Sequence, residues 1–105
     1  YAKEKNLITI LDVKRCDISS TMEAYAFSAY EEIQADAMTV ISYMGLDVIK
    51  PLYPWLSKGR GVYSVYLSSN EAGYKNQSFK TSFENKTIAD FFHKEITKDI
   101  TITHT

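Results

Sequence analysis

Branched apolar residues crowd residues 7–13, and apolar positions then recur at helical spacing through residues 20–44. They alternate with polar ones at 62–67 and 78–84, return to helical spacing at 87–96, and alternate again at 99–105. A period near 3.6 marks an amphipathic helix and a period of two marks a half-buried strand. Leu7 to Val13 carries large apolar residues on both faces and predicts a central strand. The stretch 20–44 predicts one long helix. Ser20 and Glu23 have the spacing of a capping box, Gly45 stands where a left-handed cap would sit, and neither proline nor glycine intervenes. Its apolar arc, from Met22 through Tyr30, Ile33 and Val40 to Met44, is wider than the roughly 100° that one sheet face covers.

Pro51 and Pro54 exclude a regular helix or a central strand from residues 46–56, although the apolar residues around them predict a segment packed against the core. Residues 46–49 could supply a brief edge strand, and residues 57–61 read as a glycine-punctuated turn. Strands at 62–67 and 78–84 would be joined by an exposed hairpin loop. Thr87 and Asp90 would cap a short helix whose Ile88, Phe91, Phe92 and Ile96 share a face, and a last strand would follow at 99–105. The order is β-α-β-β-α-β. It predicts an α+β, ferredoxin-like βαββαβ sandwich in which a four-stranded antiparallel sheet carries two helices on one face. One domain, residues 1–105, is expected, with Ile33 and Phe83 nearly fully buried.

Charge adds a segregation that the net value of −1 conceals. Residues 16–49 hold six acids and no lysine or arginine, whereas residues 50–80 hold five bases against one acid, Glu71. A basic middle third suits an anionic partner. Cys16 is the lone cysteine, so an internal disulfide is excluded and a reducing, cytoplasmic setting is expected. No apolar run approaches the roughly 18 residues of a membrane span, so no membrane partner is expected.

Candidate chemistry is sparse. His93 and His104 stand eleven apart with no partner at ligand spacing, so neither a metal nor another cofactor is expected. Cys16 lies beside Lys14 and Arg15, but Met22 occupies the place where a phosphate-loop arginine would stand, which favours an inert thiol. Lys14, Arg15, Ser19 and Ser20 converge on the start of the long helix and form a candidate anion site, against which Asp17 counts. On that site an alternative reading is a small phosphoryl or acyl-phosphate hydrolase.

The richer cluster is Lys58, Arg60, Tyr66, Tyr74, Lys75 and Lys80, which alternates cations with rings along the expected hairpin. Cations track a phosphate backbone and flat rings stack on unpaired bases, so single-stranded nucleic acid is the candidate partner. Strand parity puts Tyr66 on the open sheet face and Tyr63 in the core. The over-wide helix face suggests instead a protein partner, or a homodimer. Together these features favour a non-enzymatic binding or regulatory module.

Overall fold

The computed structural model describes residues 1–82 and 85–97, which fall into two compact units, Tyr1–Ser64 and the residues from Val65 onward. The first unit is a parallel sheet with helical crossovers. Strand β1 (Ile10–Arg15) leads into helix α1 (Ser19–Phe27), which widens into a π-helical turn (Ser28–Glu32) before strand β2 (Ala37–Val40). Two 3-10 turns (Leu46–Val48 and Lys50–Leu52) and the short helix α2 (Tyr53–Leu56) then carry the chain to strand β3 (Gly61–Ser64). The sheet order is β1-β2-β3 and both pairings are parallel, with Ile10 opposite Ala37 and Ala37 opposite Gly61. Parallel neighbours require a crossover between them, and α1 and the proline segment are those crossovers.

The expected ferredoxin-like antiparallel sandwich is therefore corrected. Its error lies in the stretch 20–44. Gln34 takes the left-handed conformation (φ 61°) and Ala35 N–H reaches back to Ala29 O at 2.9 Å, so the helix closes a full strand before Gly45. Ala37, Val40, Ile41 and Met44 continue the helical spacing by coincidence: the first two belong to β2 and the others follow it. The capping box does not form either: Ile18 is the cap residue, with no side-chain bond to the helix. Ile33, expected in the core, is 58% exposed, and Phe83 lies outside the described residues.

Met22 and Ala26 of α1 and Tyr30 of the π-helical turn are buried, as are Met38 and Val40 of β2 and Val48, Ile49 and Leu52 of the 3-10 turns. The proline segment thus packs down as expected, but as helical turns. Pro51 is the second residue of the turn Lys50–Leu52 and Pro54 the second of α2, within the first turn where a missing N–H costs no bond. Leu46 to Ile49 is not a strand, and β1 is an edge of the sheet, not its centre. A Cβ at Gly61 would lie 3.2 Å from the Ala37 Cβ, so that strand pair is drawn close by a small residue on each side. The Tyr30 hydroxyl crosses to donate to Gly61 O at 2.7 Å, and burial pushes its pKa up.

In the second unit, residues 71–77 form helix α3 (Glu71–Gln77) where a hairpin loop was expected. The Gln77 amide accepts Ser68 N–H at 2.7 Å and donates to the Ser68 hydroxyl at 2.9 Å, tying the approach to α3 back onto its last turn. Residues 78–82 form no strand, and Lys80 makes one isolated antiparallel bridge, to Thr87. Helix α4 (Ile88–Thr97) has the cap read from its sequence. Asp90 N–H donates to the Thr87 hydroxyl at 3.1 Å, and Thr87 N–H donates to the Asp90 carboxylate at 3.2 Å. Ala89 and Ile96 are buried beneath it. The strand expected at 99–105 lies outside the described residues. No helix among the described residues is long and apolar enough to cross a membrane.

Candidate active site

Strand β1 changes character along its length. Ile10 and Leu11 are apolar, but Asp12 and Lys14, two apart, project charge just before the chain enters α1. In parallel α/β sheets, reactive groups gather beyond the carboxyl ends of the strands, where the connecting loops can surround a ligand. That end of this sheet holds a connected polar array. The Lys14 Nζ lies 2.6 Å from both carboxylate oxygens of Asp12, and the Thr39 hydroxyl of β2 donates to Asp12 Oδ1 at 2.9 Å. The Lys14 ammonium, and after it the Thr39 hydroxyl, holds the Asp12 carboxyl below its usual range. Beside them Ser42 and Ser64, past the ends of β2 and at the end of β3, share a hydrogen bond of 2.6 Å.

The backbone at this point is irregular. Leu11 pairs with Met38 and Arg15 with Val40, so three residues of β1 face only Thr39 on β2. Such a bulge re-aims side chains, and bulges collect next to active sites. Lys14, the last of the three, lies in the left-handed region (φ 46°), a conformation costly for a residue with a Cβ. Its N–H donates to the Thr39 hydroxyl at 2.9 Å. The loop after β1 brings Asp17, whose carboxylate accepts Ile18 N–H at 2.8 Å, and then Ser19 in a left-handed conformation (φ 52°).

The four residues proposed for an anion site do lie together at this end, but their cations have other partners. Lys14 is held on Asp12, and Arg15 lies over the Tyr25 ring, 4.4 Å from its centre. Ser19 and Ser20 open α1 without capping it. The six residues of the expected nucleic-acid surface do not share the expected hairpin, because residues 71–77 are helical and residues 78–82 form no strand. Lys58 and Arg60 precede β3 in the first unit, where Arg60 donates to Ala35 O at 3.0 Å and lies 3.6 Å from Asp36. Tyr74 and Lys75 are on α3, Lys80 bridges to Thr87, and Tyr66 donates its hydroxyl to Asp90, all in the second unit. Tyr63, assigned to the core, is 53% exposed. Cys16 is a free thiol, and among the described residues no three His, Cys, Asp or Glu side chains gather as a metal would require.

Asp12 and Thr39 were not singled out from the sequence. A signal for Asp12 was present. An acid and a base two apart at the end of a strand, directly before a helix, are hard to explain as packing. Thr39 carried no signal, because it lay inside what read as a helix.

Comparison with known proteins identifies the family. A family model described as "Orotidine 5'-phosphate decarboxylase / HUMPS family" matches residues 1–98. The orotidine 5'-phosphate decarboxylase of Clostridium acetobutylicum is 41% identical over 83 residues, covering 77% of this chain and 29% of that protein. The enzyme of the same name from Clostridium tetani is 38% identical over 98 residues, covering 91% and 34%. The crystal structure of Plasmodium berghei orotidine 5'-monophosphate decarboxylase superposes with a TM-score of 0.80 at 25% identity, covering 93% of this chain and 31% of that one. The chain thus spans about a third of the length of the curated relatives it matches. These matches overturn the expected non-enzymatic binding module and the hydrolase alternative, since the relatives are named for a decarboxylase. They also place the parallel sheet and its crossovers in a TIM-barrel-type fold.

Proposed function

This chain belongs to the orotidine 5'-phosphate decarboxylase / HUMPS family, and from that premise we propose that Asp12 and Lys14 serve the decarboxylation of orotidine 5'-phosphate. The observation that carries the reading is the Lys14 ammonium, held 2.6 Å from both Asp12 oxygens at the carboxyl end of a parallel strand. Decarboxylation breaks the bond between the carboxylate carbon and C6 of the pyrimidine. Carbon dioxide leaves, and the bonding electron pair stays on C6 in the plane of the ring, where the ring's π system cannot spread it. A fixed cation beside C6 lowers the energy of that state, and a cation carrying a transferable proton also completes the reaction. Lys14 fits both tasks. It gives one proton to C6, uridine 5'-phosphate forms, and solvent reprotonates the amine. Asp12 keeps the ammonium aimed.

A cytoplasmic setting is proposed on the strength of the lone free Cys16, which suits a reducing compartment. The test is release of labelled carbon dioxide from carboxyl-labelled orotidine 5'-phosphate by the full-length protein. Wild-type protein is expected to release it, and Lys14→Ala to lose about 10²–10⁴-fold in kcat. A folded wild-type protein that leaves the label on the substrate sinks the proposal.

A further inference from the structure

We propose that Thr39 is a positioning residue for this reaction, its hydroxyl setting the backbone of Lys14 and the carboxylate of Asp12 together, and so the direction in which the ammonium points. The inference takes its kinetic arm from the decarboxylase reading and its spectroscopic arm from geometry alone.

Between the pairs Leu11–Met38 and Arg15–Val40, Asp12, Val13 and Lys14 of β1 are opposed by Thr39 alone. Backbone pairing cannot satisfy three residues with one, so the ladder is locally open and a side chain can enter it. That side chain is Thr39, whose hydroxyl accepts Lys14 N–H at 2.9 Å. A hydroxyl has one proton and two lone pairs, and the proton goes to Asp12 Oδ1 at 2.9 Å. That same oxygen receives the Lys14 Nζ at 2.6 Å.

The contacts close a ring, from the Lys14 backbone through Thr39 and Asp12 back to the Lys14 side-chain terminus. Within it the left-handed turn at Lys14 (φ 46°) has an external partner for its N–H, and the lysine stem has a fixed end. Thr39 is well placed for the task because β2 is the central strand, paired on both sides. Valine has the shape of threonine but neither accepts nor donates. Serine does both.

The experiment compares Thr39→Val and Thr39→Ser with wild type in the full-length protein, by steady-state kinetics across pH and by carbon NMR titration of the Asp12 carboxyl. In Thr39→Val, kcat should fall about 10–100-fold, the scale of a misplaced reacting group, while KM stays near the wild-type value. The acid limb of kcat and the Asp12 titration should both move to higher pH, and Thr39→Ser should restore both. An unmoved Asp12 titration in Thr39→Val overturns the proposal, as does a loss confined to KM. If Thr39→Val does not fold, Thr39→Ala is read in the same way. Failure of both to fold also overturns it, because the hydroxyl would then hold the sheet and not the reacting pair. Should wild-type protein leave orotidine 5'-phosphate unchanged, the decarboxylase reading falls, and the Asp12 titration still decides the role of Thr39.

Discussion

At the scale of single residues, charge and proton can be separated on Lys14. Arginine keeps a positive charge that could still face a carboxylate, but its proton is not available near neutral pH. If Lys14 gives its proton to C6, Lys14→Arg should lose about 10²–10⁴-fold in kcat, close to the loss of Lys14→Ala. Near-normal kcat in Lys14→Arg would show that charge alone matters, and product made in heavy water would still locate the incoming deuteron. Asp12 adds a pH dependence. Its carboxyl is held below the ordinary range by the Lys14 and Thr39 contacts, so its proton returns only at low pH. The acid limb of kcat should therefore fall below the ordinary aspartate range, provided no other group titrates first. A limb that stays in place in Asp12→Asn would assign it elsewhere.

At the scale of elements, the lesson lies at Gln34 and Thr87. The cap of α4 was legible because Thr87 and Asp90 are local, three apart, and their reciprocal bonds follow from helix geometry alone. Thr87→Ala should cost about 0.5–2 kcal/mol, read as a lower unfolding midpoint in denaturant. The end of the first helix was not legible. Gln34 adopts a conformation that usually announces itself as glycine, and Lys3 Nζ donates to its side chain at 3.0 Å, a contact between residues 31 apart. Nothing local marks such a stop, and that one omission turned β2 into helix and an alternating parallel unit into a sandwich. The hairpin failed for a related reason. Tyr74 and Lys75 sit in a sequence with weak helix propensity, and α3 forms there with Gln77 bonded back to Ser68. Gln34→Gly removes the strained Cβ and should raise stability by about 1 kcal/mol despite losing the Lys3 contact. A lower midpoint for Gln34→Gly would show that the side-chain bond matters more than the strain.

At the scale of the molecule, the site lies at one end of the sheet and a separate set of contacts holds the other. Self-association was expected from an over-wide helix arc, but that arc is divided among α1, the π-helical turn, β2 and the residues that flank β2. It is now a proposal resting on exposed Leu7, Ile8, Ile10 and Ile33, and light scattering tests it. The end opposite the site is fastened by Asp36, one of the six acids of residues 16–49. Its carboxylate accepts Thr9 N–H at 2.8 Å and the Thr9 hydroxyl at 3.1 Å, while Arg60 lies 3.6 Å away. Thr9 precedes β1, Asp36 precedes β2 and Arg60 precedes β3, so one side chain gathers the starts of three strands. The Thr9 bonds come first among the causes that hold the Asp36 carboxyl below its usual range, and the Arg60 charge adds less. Because the folded value is the lower one, the stabilisation is complete above the unfolded pKa and is lost as pH falls through the folded pKa. Asp36→Asn should therefore melt below wild type at neutral pH, and the two should converge on acidification as wild type takes up its proton. Thr9→Val should reproduce most of that behaviour and an Arg60→Met change only a small part of it. Equal melting of wild type and Asp36→Asn at neutral pH would refute the role of this carboxylate, and a larger effect from Arg60 than from Thr9 would reverse the ranking of hydrogen bond over ion pair.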